Sequence, residues 1–122
     1  MELKEEMRGD VAVITLTSET ISGPEVSGLH DRVKGLVREG FKKVVVDLGR
    51  VRWFGSAMLG VLVASLTTLR NAEGDLRLAN VAKRVDSIFA VTQLAGLFAT
   101  YESVDRAVSS FLIKPVDSKG PN

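Results

Sequence analysis

Apolar positions along the chain follow two periods, and the switch between them is clearest in the middle. Val44-Val45-Val46-Asp47 is a run of three valines ending in an aspartate. It predicts a buried strand over 43–48, because β-branched side chains pack well on a pleated sheet. A short loop with two arginines and two aromatics follows, Arg50, Arg52, Trp53 and Phe54. Leu59, Leu62, Leu66 and Leu69 then recur at spacings of three and four, one face of a helix from about 56 to 72. Serine is a favoured N-cap, since its hydroxyl accepts from one of the first free backbone N–H groups, so Ser56 is expected to cap this helix. A hydroxyl thus stands at a strand–loop–helix junction, near the surface and at the positive end of a helix dipole.

The same reading extends in both directions. Residues 2–8 and 11–17 read as two strands joined at Gly9-Asp10, a pair suited to a tight hairpin turn. The first strand carries Glu2, Lys4, Glu5 and Glu6 and belongs at an edge or with one wet face. Ser18 to Gly23 reads as a loop. Ser22 or Gly23 can cap the next helix, Pro24 suits its first turn, and Glu25 completes a capping box with Ser22. Val26, Leu29, Val33, Leu36 and Val37 form its apolar stripe, and Gly40 is its stop signal. His30 lies off that stripe and is assigned to the surface.

Glu73-Gly74-Asp75 ends the central helix, and Leu76-Arg77-Leu78-Ala79 is a short strand. A third helix is expected from Asn80 or Val81, with Val85, Ile88, Phe89 and Thr92 on one side. Phe98 to Tyr101 reads as a last short edge strand. Ser103 caps a final helix with Val104, Ala107, Val108, Phe111 and Leu112 inward. Strands alternating with helices predict an α/β fold: a mixed, mostly parallel sheet of four to five strands, opened by an antiparallel pair, with about four helices packed mainly on one face. Residues 1–113 are expected to form one domain and 114–122 a flexible C-terminal tail.

Composition narrows the function classes. Sixteen basic and fifteen acidic residues leave a formal charge of +1, which argues against a general binder of nucleic acid or anionic membrane. There is no cysteine and only one histidine, so disulfides, thiolate metal sites and multi-histidine metal sites are excluded. No signal-peptide pattern and no apolar run approaching the ~20 residues of a membrane span is present, and a cytoplasmic location is expected. Neither a Gly-rich phosphate loop nor a histidine-containing triad is found, so an enzyme is not expected, and no cofactor is implied.

Three segments carry a resemblance. Val45-Val46-Asp47-Leu48, then Val51, then Gly55-Ser56-Ala57-Met58-Leu59-Gly60 parallels a hydrophobic-Asp-Leu strand end followed by Asp-Ser-Ser/Thr-Gly-Leu-Gly. Gly74 to Val81 parallels Gly-x-Leu-x-Leu-x-Asn/Gly-Val. Leu97-Phe98 with Tyr101 to Ala107 parallels a closing segment. In order and at this spacing, they resemble the STAS domain of bacterial anti-sigma factor antagonists from about residue 3 to 112. The resemblance implies a single STAS-like domain that docks onto a serine kinase doubling as an anti-sigma factor, with a histidine-kinase-like ATPase fold. That kinase uses ATP and magnesium to phosphorylate a serine at the head of the central helix, which falls on Ser56, and phosphorylation releases it. A metal-dependent serine phosphatase reverses the modification. The state of assembly expected is a monomer or weak dimer.

This chain departs from the motif at Gly55, where the family has aspartate, at Ala57, where it has a second hydroxyl, and at Met58, where it has glycine. Ser56 is the one acceptor left in it. Two readings of Ser56 stand side by side, a phosphoacceptor and a plain helix cap. Asp47 reads first as a turn-fixing carboxylate that also frames the acceptor loop. Arg50 and Arg52 either meet an acidic partner surface or a phosphate, or are solvated loop charges. Trp53 and Phe54 read as core or loop anchors, with an exposed Trp53 suiting an interface. Gly55, Ala57, Met58 and Gly60 complete the candidate partner-binding set. Lys83 and Arg84 are candidate neighbours of the same surface. The alternative function is a STAS scaffold or sensing adaptor that binds partners without being phosphorylated.

Overall fold

The computed structural model describes residues 3–21, 27–81, 94 and 96–112. Two strands open it, β1 (Leu3–Arg8) and β2 (Val11–Leu16), antiparallel and in register from Leu3↔Leu16 to Arg8↔Val11. The two-residue connection turns on Gly9, whose φ of +63° lies where only glycine is free of a Cβ clash. Next come β3 (Thr20–Ile21), α1 (Ser27–Arg38), β4 (Lys43–Asp47), β5 (Trp53–Phe54), α2 (Ser56–Asn71), β6 (Asp75–Ala79), β7 (Thr100–Tyr101) and α3 (Val104–Leu112). The main sheet has five strands in the order β1-β2-β4-β6-β7, parallel everywhere except at β1–β2.

Alternation along the inner strands sends side chains to two cores. Ala12, Ile14 and Leu16 of β2, Val44 and Val46 of β4, and Leu76 and Leu78 of β6 face the core that α1 and α2 cover. Val11, Val13, Val45 and Ala79 face the other way, onto Ala107 and Val108 of α3. Strands buried on both faces read as continuous apolar runs, which is why the valines of β4 are unbroken. The α/β architecture and the mixed sheet are as expected. α1 and α2 share one face while α3 lies across the other, held there by Arg77. Its guanidinium stacks 4.0 Å over the Phe111 ring, and it donates to Ser110 Oγ at 2.7 Å and to Asp75. Leu112, expected inward, is 63% exposed as the last residue of α3.

Both long helices stop by the same device. At the end of α1 the Phe41 N–H donates to Leu36 O at 2.8 Å and the Gly40 N–H to Val37 O at 3.0 Å, with Gly40 at φ +95°. This is a Schellman motif, and Phe41 packs back on the core beside Leu36. At the end of α2 the Gly74 N–H donates to Leu69 O at 2.7 Å and the Glu73 N–H to Arg70 O at 3.0 Å. Here Glu73, not a glycine, takes the left-handed conformation, at φ +67°. Gly74 is needed one place later, where a Cβ would lie 2.0 Å from the backbone oxygen of Lys42. Ser103 caps α3 as expected, its Oγ accepting from the Arg106 N–H at 3.1 Å. His30, assigned to the surface, is half-buried instead. Its Nε2 lies 3.0 Å from Thr68 Oγ1 and ties α1 to α2.

The edge strand β1 is polar and is tied to the helices by ion pairs. Arg32 of α1 grips Glu5 with two hydrogen bonds, 2.5 and 2.7 Å, and Arg8 reaches Asp105 of α3 at 2.8 Å. The Arg32 hydrogen bond, with help from its charge, holds the Glu5 carboxyl below its ordinary range against the opposing effect of burial. A carboxylate with a depressed folded pKa stabilises above its unfolded pKa, and that stabilisation is lost as pH falls through the folded value. The stability difference between wild type and Glu5→Gln should therefore be full at neutral pH and vanish in acid. It should stay below about 1 kcal/mol, as for other partly exposed pairs; urea titrations at a series of pH values read it. Candidate features at Ser22, Gly23, Pro24, Glu25 and Val26, and at Lys83, Arg84, Val85, Ile88, Phe89 and Thr92, lie outside the described residues, as does 114–122.

Candidate functional site

The site is built at the carboxyl ends of β4 and β6, where an open parallel sheet presents its loops. Asp47 closes β4. Its Oδ1 accepts from the Gly49 N–H at 2.9 Å and from Asn80 Nδ2 at 2.9 Å. Asn80 sits just past β6 at φ +64°, a conformation asparagine tolerates better than most residues. Backbone bonds complete the tie: Leu48 N–H to Ala79 O and Asn80 N–H to Tyr101 O, both 3.0 Å. Asp47 is thus the turn-fixing carboxylate of the first reading, joining the loops after two neighbouring strands. Asp47→Ala would strip two half-buried donors of their acceptor and should cost about 2 kcal/mol by chemical denaturation.

The following loop is stitched down on its other side. The N–H groups of Arg52 and Trp53 both donate to Glu19 O, at 2.8 and 3.2 Å, and the Gly55 N–H donates to Ile21 O at 2.9 Å. Thr20–Ile21 and Trp53–Phe54 form a two-stranded parallel ladder, where the sequence suggests only loops. Ile21, Val51 and Phe54 anchor this ladder in the core. Alternation then leaves Trp53 outside, 47% exposed, so it is not the core anchor that its neighbour Phe54 is. Arg50 and Arg52 are exposed as well.

At the head of α2 the expected cap shifts by one residue. Gly55 is the N-cap, with extended backbone at φ −92° and ψ −179°, and no side chain among the described residues caps the helix. Ser56 already has helical backbone and is the first residue inside, so its hydroxyl is not spent on capping. Its side chain is exposed, with Ala57 beside it and Gly60 one turn on. Met58 turns the other way and is wholly buried among the core residues, so its side chain does not reach a partner surface. Ser56, Ala57, Gly60, Arg50, Arg52 and Trp53 are each exposed, while Asp47 is half-buried and Met58 buried. Gly55 is partly exposed between them. Among the described residues, no group of three His, Cys, Asp or Glu side chains is placed to hold a metal ion. No helix there is long and apolar enough to cross a membrane.

Comparison with known proteins places this geometry. The family model for the STAS domain matches residues 3–107. BtrV of Bordetella bronchiseptica, which bears the name of an anti-sigma factor antagonist, is 26% identical over 102 residues, 84% of this chain and 88% of that protein. Among solved structures, an anti-sigma factor antagonist (STAS) domain protein from Planctomyces limnophilus superposes with a TM-score of 0.76 at 18% identity. The match covers 91% of this chain and 98% of that one. The Bacillus cell fate determinant SpoIIAA in its phosphorylated form superposes with a TM-score of 0.69 at 16% identity, covering 90% and 99%.

Proposed function

The chain belongs to the STAS domain family, and on that premise we propose that it is an anti-sigma factor antagonist whose docking onto an anti-sigma factor is switched off by phosphorylation of Ser56. The observation that carries this reading is the exposed, uncapped hydroxyl at the head of α2. The relative BtrV bears the antagonist name, and SpoIIAA, of the same fold, has a phosphorylated form. The partner is a serine kinase with a histidine-kinase-like ATPase fold, and a metal-dependent serine phosphatase resets the switch.

Ser56 is the acceptor, and the partner supplies the chemistry. The Ser56 oxygen attacks the γ-phosphorus of ATP, the bond from that phosphorus to the bridging oxygen breaks, ADP leaves, and the hydroxyl proton passes to a base on the kinase. The product carries about −1.5 to −2 charge at pH 7. A helix N-terminus tolerates that charge, since free N–H groups and the dipole both favour an anion. Folding should therefore survive phosphorylation. Against a docked partner the same charge is opposed by desolvation and by any facing carboxylate.

Incubation with the anti-sigma factor kinase of the same organism and Mg-ATP should add one phosphate to the wild type, read by intact mass, and none to Ser56→Ala. Ser56→Asp should bind that kinase at least about tenfold more weakly in calorimetry. An unmodified wild type, or a modified Ser56→Ala, would reject the switch. The second reading, an adaptor that binds without modification, is favoured by Gly55, which removes the family's acidic residue from the position before the acceptor. Ser56→Asp binding as tightly as wild type selects it.

A further inference from the structure

The main sheet ends on two unlike edges. β7 offers two residues, Thr100 and Tyr101, too few to template a further strand. β1 offers six, Leu3 to Arg8, without proline and in unbroken register with β2. No strand among the described residues covers its outer side. In a hairpin with a two-residue loop, the flanking residues, here Arg8 and Val11, exchange both backbone hydrogen bonds. Such pairs recur at every second residue, so Glu6 and Lys4 also bond to β2. The N–H and C=O groups of Leu3, Glu5 and Met7 therefore point away from the sheet.

The side chains along this edge complement their own reversed copy. With a second β1 laid antiparallel about Glu5, Leu3 stands opposite Met7, Lys4 opposite Glu6, and Glu5 opposite its own copy. This register makes Leu3, Glu5 and Met7 the hydrogen-bonded pairs, so the outward backbone groups all find partners. Leu3 packs against the core under α1 and α2, and alternation puts Met7 on the same face, where it is 40% exposed. Lys4 and Glu6 point to the opposite face. Among the described residues Lys4 has no ion pair, and Glu6 meets only Arg8 on its own strand, at 3.2 Å. Like charges directly opposite repel, but Arg32 grips each Glu5 with two hydrogen bonds and brings a compensating charge. Sliding one copy by a residue would set Glu5 against Glu6 and Lys4 against Met7, so charge selects the register.

We propose that two copies of this chain associate edge to edge through β1, about a two-fold axis at Glu5, so that their main sheets run on as one. The interface is isologous, with each off-axis pair occurring once on either side of the axis. Backbone bonds supply the pairing, as in other strand additions. Leu3 against Met7 removes an exposed thioether from water, Lys4 against Glu6 pairs charge on the other face, and Arg32 keeps the axis neutral. Nothing in this pairing depends on the state of Ser56.

Sedimentation equilibrium of the full chain, from micromolar to millimolar concentration, should show a reversible monomer–dimer equilibrium. In hydrogen exchange followed by NMR, the amides of Leu3, Glu5 and Met7 should slow as concentration rises. Those of Lys4, Glu6 and Arg8, already bonded to β2, should stay constant. Lys4→Glu and Glu6→Lys should each raise the dimer Kd about tenfold, since each reverses a pair on both sides of the axis, and the double change should restore it. Arg32→Ala should also weaken the dimer, and adding Glu5→Gln should recover it, which a purely structural role for Arg32 does not produce. Met7→Pro removes an outward N–H, spares the β1–β2 ladder, and should give a folded monomer. A wild type that is monomeric throughout overturns self-pairing. If the same amides then slow only on adding the anti-sigma factor kinase, the edge takes a partner's strand instead. A dimer that the charge reversals leave unchanged overturns this interface.

Discussion

Met58→Gly, which installs the residue of the family motif, should lower the unfolding free energy by about 3–5 kcal/mol. Met58 is wholly buried at the underside of the first turn of α2, in the same core as Leu62, Leu66 and Leu69. Deleting a buried side chain of this size costs about 2–5 kcal/mol through lost transfer energy and the cavity left behind. Glycine in a helix adds about 1 kcal/mol. Met58→Leu keeps volume and apolarity and should cost less than about 1.5 kcal/mol. Urea denaturation of the three proteins separates these values. A loss below about 1 kcal/mol for Met58→Gly would mean that the core closes over the vacancy. The difference from the motif at this position is thus a matter of core volume, while the exposed hydroxyl two residues earlier is set by the helix head.

Gly74→Ala should be almost as damaging, about 3 kcal/mol, with Tm lowered by about 10–15 °C. Its φ is not in the left-handed region, so conformational preference is not the cause. The cause is space: the added Cβ would lie 2.0 Å from Lys42 O and 2.6 Å from Lys42 Cβ. Backbone cannot step aside cheaply here, because Lys42 O accepts the Asp75 N–H at 3.0 Å where β4 and β6 begin to pair. The adjacent change Glu73→Gly should act in the opposite direction. It relieves a non-glycine residue at φ +67° and should gain about 1 kcal/mol. Thermal melts of the two variants should therefore move apart from wild type in opposite directions. A Gly74→Ala protein melting like wild type would contradict the close approach.

α2 also carries a buried hydroxyl, Ser65 Oγ, that has no hydrogen-bond partner among the described residues. An unsatisfied polar atom costs free energy wherever it is buried. The hydroxyl at Ser56 is the opposite case, exposed and therefore cheap to leave uncommitted. Nine residues along one helix, two serines differ in what they can do, and the face each occupies makes the difference.

Local pattern alone determined a good deal of this protein. The valines of β4, the leucine face of α2, the Gly9-Asp10 hairpin, the stop at Gly40 and the cap at Ser103 all follow from side-chain period or from a turn's demand on one residue, and such signals act within a few positions. The serine at the strand–helix junction was visible by the same means, together with the loop charges around it. Tertiary structure alone decided the rest. Trp53 is outside and Phe54 inside because β5 pairs with β3, a partner more than thirty residues earlier in the chain. Asp47 finds Asn80 at a separation of 33 residues. Gly55 takes the cap because the bond from its N–H to Ile21 O holds that residue extended and starts the helix one place earlier than expected. In each case the deciding contact joins segments that periodicity cannot relate, since period records which face is buried and carries no information about what buries it.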